Sequence, residues 1–326
     1  MSRLLSTVSA ITFIAGTYAS ADVPKVVADI APIHSLVSRV MDGVGEPKLI
    51  VPNETSPHDY RLRPADAEAI EDANLVFWMG EGLTPWMERA LEALSNDTDI
   101  IEFLALEEST LLSFREGALF EAHDHSDHED HDKDHDDHDD HDDHDDHDDH
   151  AGHDHGEYDP HAWLSTNNAK TWLNVIAARL SSIDPDNAGA YFANASEARG
   201  EMDALDVEIN TMLDPVRGGK FVVFHDAYQY FETVYDFPAS GAISLGDASD
   251  PSAARVAEIA NRIKSENIAC VLSEPQFNAG LVKTVMGGTD ATTEVIDPLG
   301  FGIEPGKSLY PKLIRAMAQS LVNCLK

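Results

Sequence analysis

The chain has 326 residues, of which 43% are hydrophobic, so it is long enough to bury a sizeable core in one large domain or two lobes. Its 59 acidic residues outnumber the 22 basic ones and give a formal net charge of -37. Such a surface repels nucleic acids and anionic lipids, which excludes both as partners, and it attracts cations.

The first 21 residues have the pattern of a secretory signal peptide. Arg3 provides a positive start, residues 4–14 form a short apolar stretch, and the Ala-Ser-Ala triplet at 19–21 fits the cleavage rule. A membrane anchor is the alternative, but the apolar stretch is short and Ser and Thr interrupt it. We therefore expect export, with cleavage near Ala21.

Short apolar runs alternate with helical patterns along the first half of the chain. The helical patterns are HSLVSRVMDG, ADAEAIEDA and PWMERALEAL. The runs that predict strands are KVVADI (25–30), KLIVPN (48–53), LVFWMG (75–80) and DIIEF (99–103). Short strands that alternate with helices are typical of a parallel sheet covered on both faces.

Residues 117–157 fit neither a strand nor a helix. Nineteen acidic residues, twelve histidines and a single lysine lie between 121 and 157. A segment with this much charge buries too little apolar surface to become ordered. We therefore predict a disordered insertion. We expect its histidines to form several weak metal sites, and a solvated acidic linker without a metal role is the alternative. These histidines are His123, His125, His128, His131, His135, His138, His141, His144, His147, His150, His153 and His155.

A long amphipathic helix is predicted for residues 185–213. Asp184 suits the N-cap and Pro185 suits the first helical position. Apolar residues then step by three and four from Ala188 to Met212 without a break. We interpret this helix as a strut packed across two lobes. A coiled-coil arm is the alternative, which the many alanines disfavour.

The second half of the chain repeats the alternation of the first. KFVVFH (220–225), IACVLSE (268–274) and TEVIDP (293–298) predict strands, and AARVAEIANRIKSE and LYPKLIRAMAQSLVNCL predict helices. The predicted fold class is α/β, with two lobes of parallel sheet flanked by helices and bridged by one long helix. The predicted boundaries are a signal peptide at 1–21, an N-terminal lobe at 22–184, the bridging helix at 185–213 and a C-terminal lobe at 214–326.

Cys270 and Cys324 are the only cysteines of the chain. In an exported protein an even number of cysteines suggests one disulfide, and two buried free thiols are the alternative. A bridge between positions so far apart would contribute about 4 kcal/mol to stability in the chain-entropy model.

Three of the candidate metal ligands follow predicted strands. His58 follows KLIVPN, His225 ends KFVVFH, and Asp297 ends TEVIDP. Ligands of open α/β sheets bind at the carboxyl ends of the strands. With His161, directly after the insertion, they make three imidazoles and one carboxylate, a set that suits Zn²⁺. The remaining histidine outside the insertion, His34, lies in a helical pattern and is interpreted as structural.

Each of the three histidines proposed as metal ligands has an aspartate close by in the sequence. The pairs are His58 with Asp59, His161 with Asp159, and His225 with Asp226. A neighbouring carboxylate can fix the tautomer of a metal-binding imidazole.

Four stretches of the chain resemble the signature stretches of the metal-binding proteins of bacterial ABC importers (cluster A-I, the TroA-like group). They are SPHDYRLRP, DPHAWLS, FVVFHDAYQYF and IDPLG, and they occur in the expected order. The His/Asp-rich insertion before DPHAWLS resembles that of the zinc-specific branch, the ZnuA group. The resemblance runs from about residue 25 to residue 326.

The resemblance implies a periplasmic monomer that holds Zn(II) between its lobes and delivers it to an inner-membrane ABC permease and its ATPase. By motif, the implied ligands are His58, His161 and His225. Some zinc-specific members have a Glu directly before the first of these histidines, where this chain has Pro57. That difference leaves Asp297 or a water as the fourth ligand.

The resemblance implies transport rather than catalysis, and it also implies the Cys270 and Cys324 pair, since the zinc branch has paired cysteines near its C-terminus. One alternative is a manganese- or iron-binding component of the same family, although Mn²⁺ prefers a second carboxylate over a third histidine. The other is a zinc-dependent hydrolase. We expect no catalysis, because no plausible general base or nucleophile lies near the motifs besides Asp59 and Asp226.

Overall fold

The computed structural model describes residues 23–95, 98–115, 120, 158–244, 251–276 and 279–326. The predicted signal peptide and the twelve histidines of the insertion lie outside these ranges, so what the sequence predicts for them stays a prediction. No helix within the described ranges combines the length and the apolar character that crossing a membrane requires.

The N-terminal lobe is a four-stranded parallel sheet with helices packed on it. Its strands are β1 (Val26–Ala28), β2 (Lys48–Leu49), β3 (Leu75–Trp78) and β4 (Asp99–Glu102). Its helices are α1 (Ala31–Val40), α2 (Pro64–Glu71), α3 (Pro85–Leu94) and α4 (Thr166–Ile183). The strands pair in the order β2-β1-β3-β4, and the two central strands are buried along their whole length, as apolar runs of parallel sheets are.

Helix α5 (Ala188–Leu213) joins the two halves of the chain. Its 26 residues span about 39 Å, and its buried side chains pack against α1 and α4. Asp184 does not cap it, because Pro185–Asn187 forms a separate 3-10 turn. The Asp184 carboxylate instead accepts hydrogen bonds from the side chains of Asn187 and Tyr191.

The C-terminal lobe repeats the strand order of the first. Its strands are β5 (Phe221–His225), β6 (Ala242–Ser244), β7 (Cys270–Ser273) and β8 (Thr292–Val295). Its helices are α6 (Gln229–Tyr235), α7 (Ala253–Glu266), α8 (Ala279–Val285) and α9 (Leu309–Leu325). The strands are parallel in the order β6-β5-β7-β8. Strand β6, which has only three residues, was not predicted from the sequence.

Helix α9 adds a second connection between the lobes. At its start, the Tyr310 backbone N–H donates to Ser35 Oγ of α1 (2.9 Å), and the Tyr310 hydroxyl donates to the Trp163 carbonyl (2.8 Å). At its end, Cys324 forms a disulfide with Cys270 of β7. The predicted disulfide is therefore confirmed, and α9 is fixed to one lobe while it contacts the other.

The hydrophobic core is continuous between the lobes. One cluster of buried side chains includes β1 and β3 of the N-terminal lobe, α5, and β5 and α9 of the C-terminal lobe. A second, smaller cluster covers the α7 and α8 side of the C-terminal sheet. Because close-packed interiors resist shear, such a core limits how far the lobes can move apart.

Candidate metal centre

The carboxyl ends of the two sheets bring the predicted histidines together. His58 lies in the loop between β2 and α2, His225 is the last residue of β5, and His161 lies just before α4. The ring centroids of His58 and His161 are 5.9 Å apart, and those of His161 and His225 are 5.2 Å apart. Three imidazoles that are distant along the chain therefore converge between the lobes.

His161 and His225 form a buried pair across the lobe interface. Their side chains are 8% and 2% exposed, and their Nε2 atoms are 3.4 Å apart. Two nitrogen ligands of one tetrahedral zinc ion, each bound at 2.0–2.1 Å, lie about 3.3 Å from each other. The two Nε2 atoms thus have the separation that a shared Zn²⁺ requires.

A buried carboxylate holds the other ring nitrogen of each histidine in the pair. Asp159 Oδ1 lies 2.7 Å from His161 Nδ1, and Glu274 Oε1 lies 2.5 Å from His225 Nδ1. A carboxylate can only accept, so each Nδ1 carries the proton and donates it. Each Nε2 is therefore left with the lone pair that binds a metal.

Glu274 lies at this site and was not predicted from the sequence. It follows β7 directly, so the rule that identified His225 and Asp297, a polar residue at the carboxyl end of a strand, would have found it too. Its side chain is fully buried, and its second oxygen accepts a hydrogen bond from the Gln276 side chain (2.8 Å). Burial, together with the carboxylates of Glu274 and Asp297, raises the pKa of Tyr228, which packs beside them.

The three aspartates near the histidines have different roles. Asp159 orients His161, as predicted, but Asp59 is exposed. Asp226 is bound by the Arg115 guanidinium, which also pairs with Glu232 at 2.7 Å. Burial raises the pKa of Asp226, and Arg115 opposes this increase. Arg115 therefore compensates two buried carboxylates, one of which, Asp226, adjoins His225.

Asp297 reaches the same cleft but is held by its own loop. Its Oδ1 accepts the backbone N–H of Leu299 at 2.9 Å, and its Oδ2 accepts that of Phe301. Burial raises the pKa of Asp297, and the nearby Glu274 carboxylate adds to this effect. Each carboxylate oxygen has a further lone pair, so these bonds do not prevent it from binding a cation.

Across the described ranges, no three His, Cys, Asp or Glu side chains are as close together as the ligands of a bound metal ion are. The His161 and His225 pair has that spacing, whereas His58 is half-buried at a greater distance. A four-coordinate site requires His58 and Asp297 to approach this pair. That all four side chains are ligands therefore stays a prediction.

Two other residues singled out from the sequence have hydrogen-bond partners outside the pair. His34 is buried in α1, and its Nε2 donates to the Pro47 carbonyl at 3.0 Å, in agreement with a structural role. Burial lowers the pKa of His34. Pro57, which precedes His58, accepts a hydrogen bond at its carbonyl from the Trp86 indole at 2.8 Å.

The family model described as zinc-uptake complex component A, periplasmic (ZnuA), matches residues 26–324. The chain belongs to the ZnuA family. The high-affinity zinc uptake system protein ZnuA of Brucella abortus (strain 2308) is 46% identical over 332 residues, covering 100% of this chain and 99% of that protein. The ZnuA protein of Paracoccus denitrificans is also 46% identical, over 308 residues, covering 94% of this chain and 93% of that protein.

Solved structures share the two-lobed fold. A crystal structure of ZnuA superimposes with a TM-score of 0.72 at 23% identity, covering 94% of this chain and 100% of that chain. A ZnuA deletion mutant with zinc bound superimposes with a TM-score of 0.72 at 23% identity, covering 94% of this chain and 99% of that chain. A periplasmic metal-binding protein from Candidatus Liberibacter asiaticus has a TM-score of 0.70 at 20% identity, covering 93% of this chain and 100% of that chain. The predicted fold class is confirmed.

Proposed function

We propose that this chain is the periplasmic zinc-binding component of an ABC importer, which captures Zn²⁺ between its lobes and delivers it to an inner-membrane permease and its ATPase. The observation that carries this proposal is the separation of 3.4 Å between the Nε2 atoms of His161 and His225, one from each lobe. The proposal agrees with membership of the ZnuA family and with relatives named for zinc uptake.

The proposed ligands are His58, His161, His225 and Asp297. Three imidazoles and one carboxylate favour Zn²⁺ over Mn²⁺, which prefers oxygen ligands. Two further carboxylates at the site, Asp159 and Glu274, are engaged with the Nδ1 atoms of His161 and His225. This arrangement supports zinc, rather than manganese or iron, as the cargo.

The proposed activity is binding and release by a monomer, without turnover. A hydrolase would need a general base beside the metal, and the candidate bases near the motifs are Asp59 and Asp226. Asp226 is bound by Arg115, and Asp59 is an exposed loop residue. These contacts favour a carrier over an enzyme.

The His/Asp-rich insertion is proposed to collect zinc for the cleft. The segments that flank it are paired beside the histidine pair, since Ser113 and Tyr158 form an antiparallel bridge and the Asp159 backbone N–H donates to the Leu112 carbonyl at 2.8 Å. Arg115 binds Asp226, the neighbour of His225. Zinc held weakly by a segment anchored here would have a high local concentration at the cleft.

The pH dependence of zinc affinity tests the imidazole ligands. Only a neutral imidazole binds zinc, and free imidazole side chains take up a proton near pH 6.5. We expect zinc affinity, measured by competition with a chromophoric chelator, to fall by more than about tenfold between pH 7.5 and pH 5.5. Circular dichroism at both pH values checks that the fold is intact. Equal affinities would argue against the three-histidine set.

Deleting residues 121–157 tests the division between collector and cleft. Because the flanking segments already pair with each other, Phe120 can be joined to Tyr158 through a short Gly-Ser linker. Isothermal titration should then show one tight site with unchanged affinity and none of the weak sites of the full chain. A control of full length, with the twelve histidines replaced by Asn, should behave the same way. Loss of the tight site in both variants would show that the insertion supplies its ligands.

A further inference from the structure

The loop that carries Asp297, residues 297–303, is held by side chains of the opposite lobe. Asn53 Nδ2 donates to the Gly300 carbonyl (2.5 Å) and to the Ile303 carbonyl (2.8 Å). The Trp163 indole N–H donates to the Pro298 carbonyl (2.8 Å). Asn53 and Trp163 are 5% and 1% exposed, so these three hydrogen bonds are shielded from water.

The bonds to Asn53 bear directly on the position of Asp297. Both carboxylate oxygens of Asp297 accept backbone N–H groups of this loop, and Gly300, at φ +86°, lets the chain turn back between them. The Ile303 N–H closes the turn onto the Gly300 carbonyl at 2.9 Å. The loop is therefore one hydrogen-bonded unit, and a contact that fixes Gly300 and Ile303 also fixes the carboxylate.

Both residues that hold the loop are close in sequence to a histidine of the N-terminal lobe. Asn53 lies in the same loop as His58, and Trp163 follows His161 by two residues, with a ring separation of 5.2 Å from it. The segments that present two imidazoles thus also hold the loop that presents the carboxylate.

We propose that Asn53 is a positioning residue for zinc binding, which keeps Asp297 at the cleft and slows the release of the metal. The inference rests on the proposed function, since it needs zinc at this site. Asn53 does not touch the metal. It acts through the loop, because both of its side-chain N–H groups bind carbonyls of the opposite lobe.

The test is the zinc dissociation rate of the full-length chain with Asn53→Ala, measured by stopped-flow mixing with excess chelator. Two buried carbonyls lose their donor, which corresponds to an increase of about tenfold in the rate. Asn194→Ala is the matched control, because Asn194 Nδ2 likewise donates to two carbonyls, those of Val40 (2.9 Å) and Asp42 (2.8 Å), on α1 and its C-terminal turn. We expect wild-type dissociation for this control.

A double-mutant cycle separates positioning from general stability. If Asn53 acts through Asp297, Asn53→Ala should add little to the faster dissociation of Asp297→Ala, since effects on one coupled unit are not additive. Any one of three results would overturn the proposal. Asn53→Ala could release zinc at the wild-type rate, or Asn194→Ala could raise the rate as much as Asn53→Ala does. The third result is full additivity of the effects of Asn53→Ala and Asp297→Ala. If Asn53→Ala does not fold, Asn53→Leu has nearly the size of the native side chain, removes both donors without adding a charge, and is judged by the same outcomes. Failure of the proposed function would instead appear as no tight zinc site in the wild-type chain.

Discussion

Replacing His161 or His225 with alanine should weaken zinc binding by about a hundredfold to a thousandfold. Four-ligand zinc sites bind with about 10–16 kcal/mol, so one ligand accounts for about 2.5–4 kcal/mol, which is roughly a hundredfold to a thousandfold in Kd. These two residues should give the largest effects, because their Nε2 atoms already have the spacing of zinc ligands. Competition titrations at pH 7.5 with a chromophoric chelator would measure the change.

The other histidines provide graded controls for this experiment. His58→Ala should have a smaller effect than His161→Ala, because His58 is half-buried and must move closer to the pair. His34→Ala removes a buried histidine of α1 that donates to the Pro47 carbonyl, so it should lower thermal stability without changing zinc affinity. Wild-type affinity in His161→Ala would exclude the cleft as the zinc site.

Strand position predicted where two of the candidate ligands lie. Parallel strands bring their carboxyl ends to one edge of a sheet, and His225 ends β5 while Asp297 lies just after β8. Glu274 obeys the same rule after β7. It was missed because a glutamate after a strand is ordinary in so acidic a chain, and only its burial against His225 reveals its role.

What the sequence could not provide are the contacts between distant segments. Asn53 and Gly300 are 247 positions apart, and no local pattern marks either as part of a lobe interface. The same holds for α9, whose apolar face predicts a helix but not that Tyr310 reaches Ser35 in the other lobe. Strand β6 has three residues, too few for an alternation of side chains to be recognised.

Glu274→Gln should weaken zinc binding by about 10- to 100-fold, the usual cost of removing a carboxylate behind a metal-binding histidine. Zinc withdraws electron density from the imidazole, so the Nδ1–H of His225 becomes a stronger donor when the metal is bound. The glutamate stabilises that state more than a neutral amide can, and the amide can also present its NH₂ group to Nδ1 and favour the wrong tautomer. The change in Kd follows from the same competition titration.

Asp184→Asn is the matched control for Glu274→Gln. Asp184 is also a buried carboxylate that accepts from two side chains, those of Tyr191 and Asn187. It follows the last residue of α4, whereas His161 precedes the first, and the helix is about 27 Å long. Both substitutions should lower the melting temperature, because each replaces a buried charged acceptor with an amide. Only Glu274→Gln should weaken zinc binding, since only Glu274 contacts a histidine of the pair. Equal affinities for the two variants would mean that Glu274 stabilises the fold and does not tune the metal ligand.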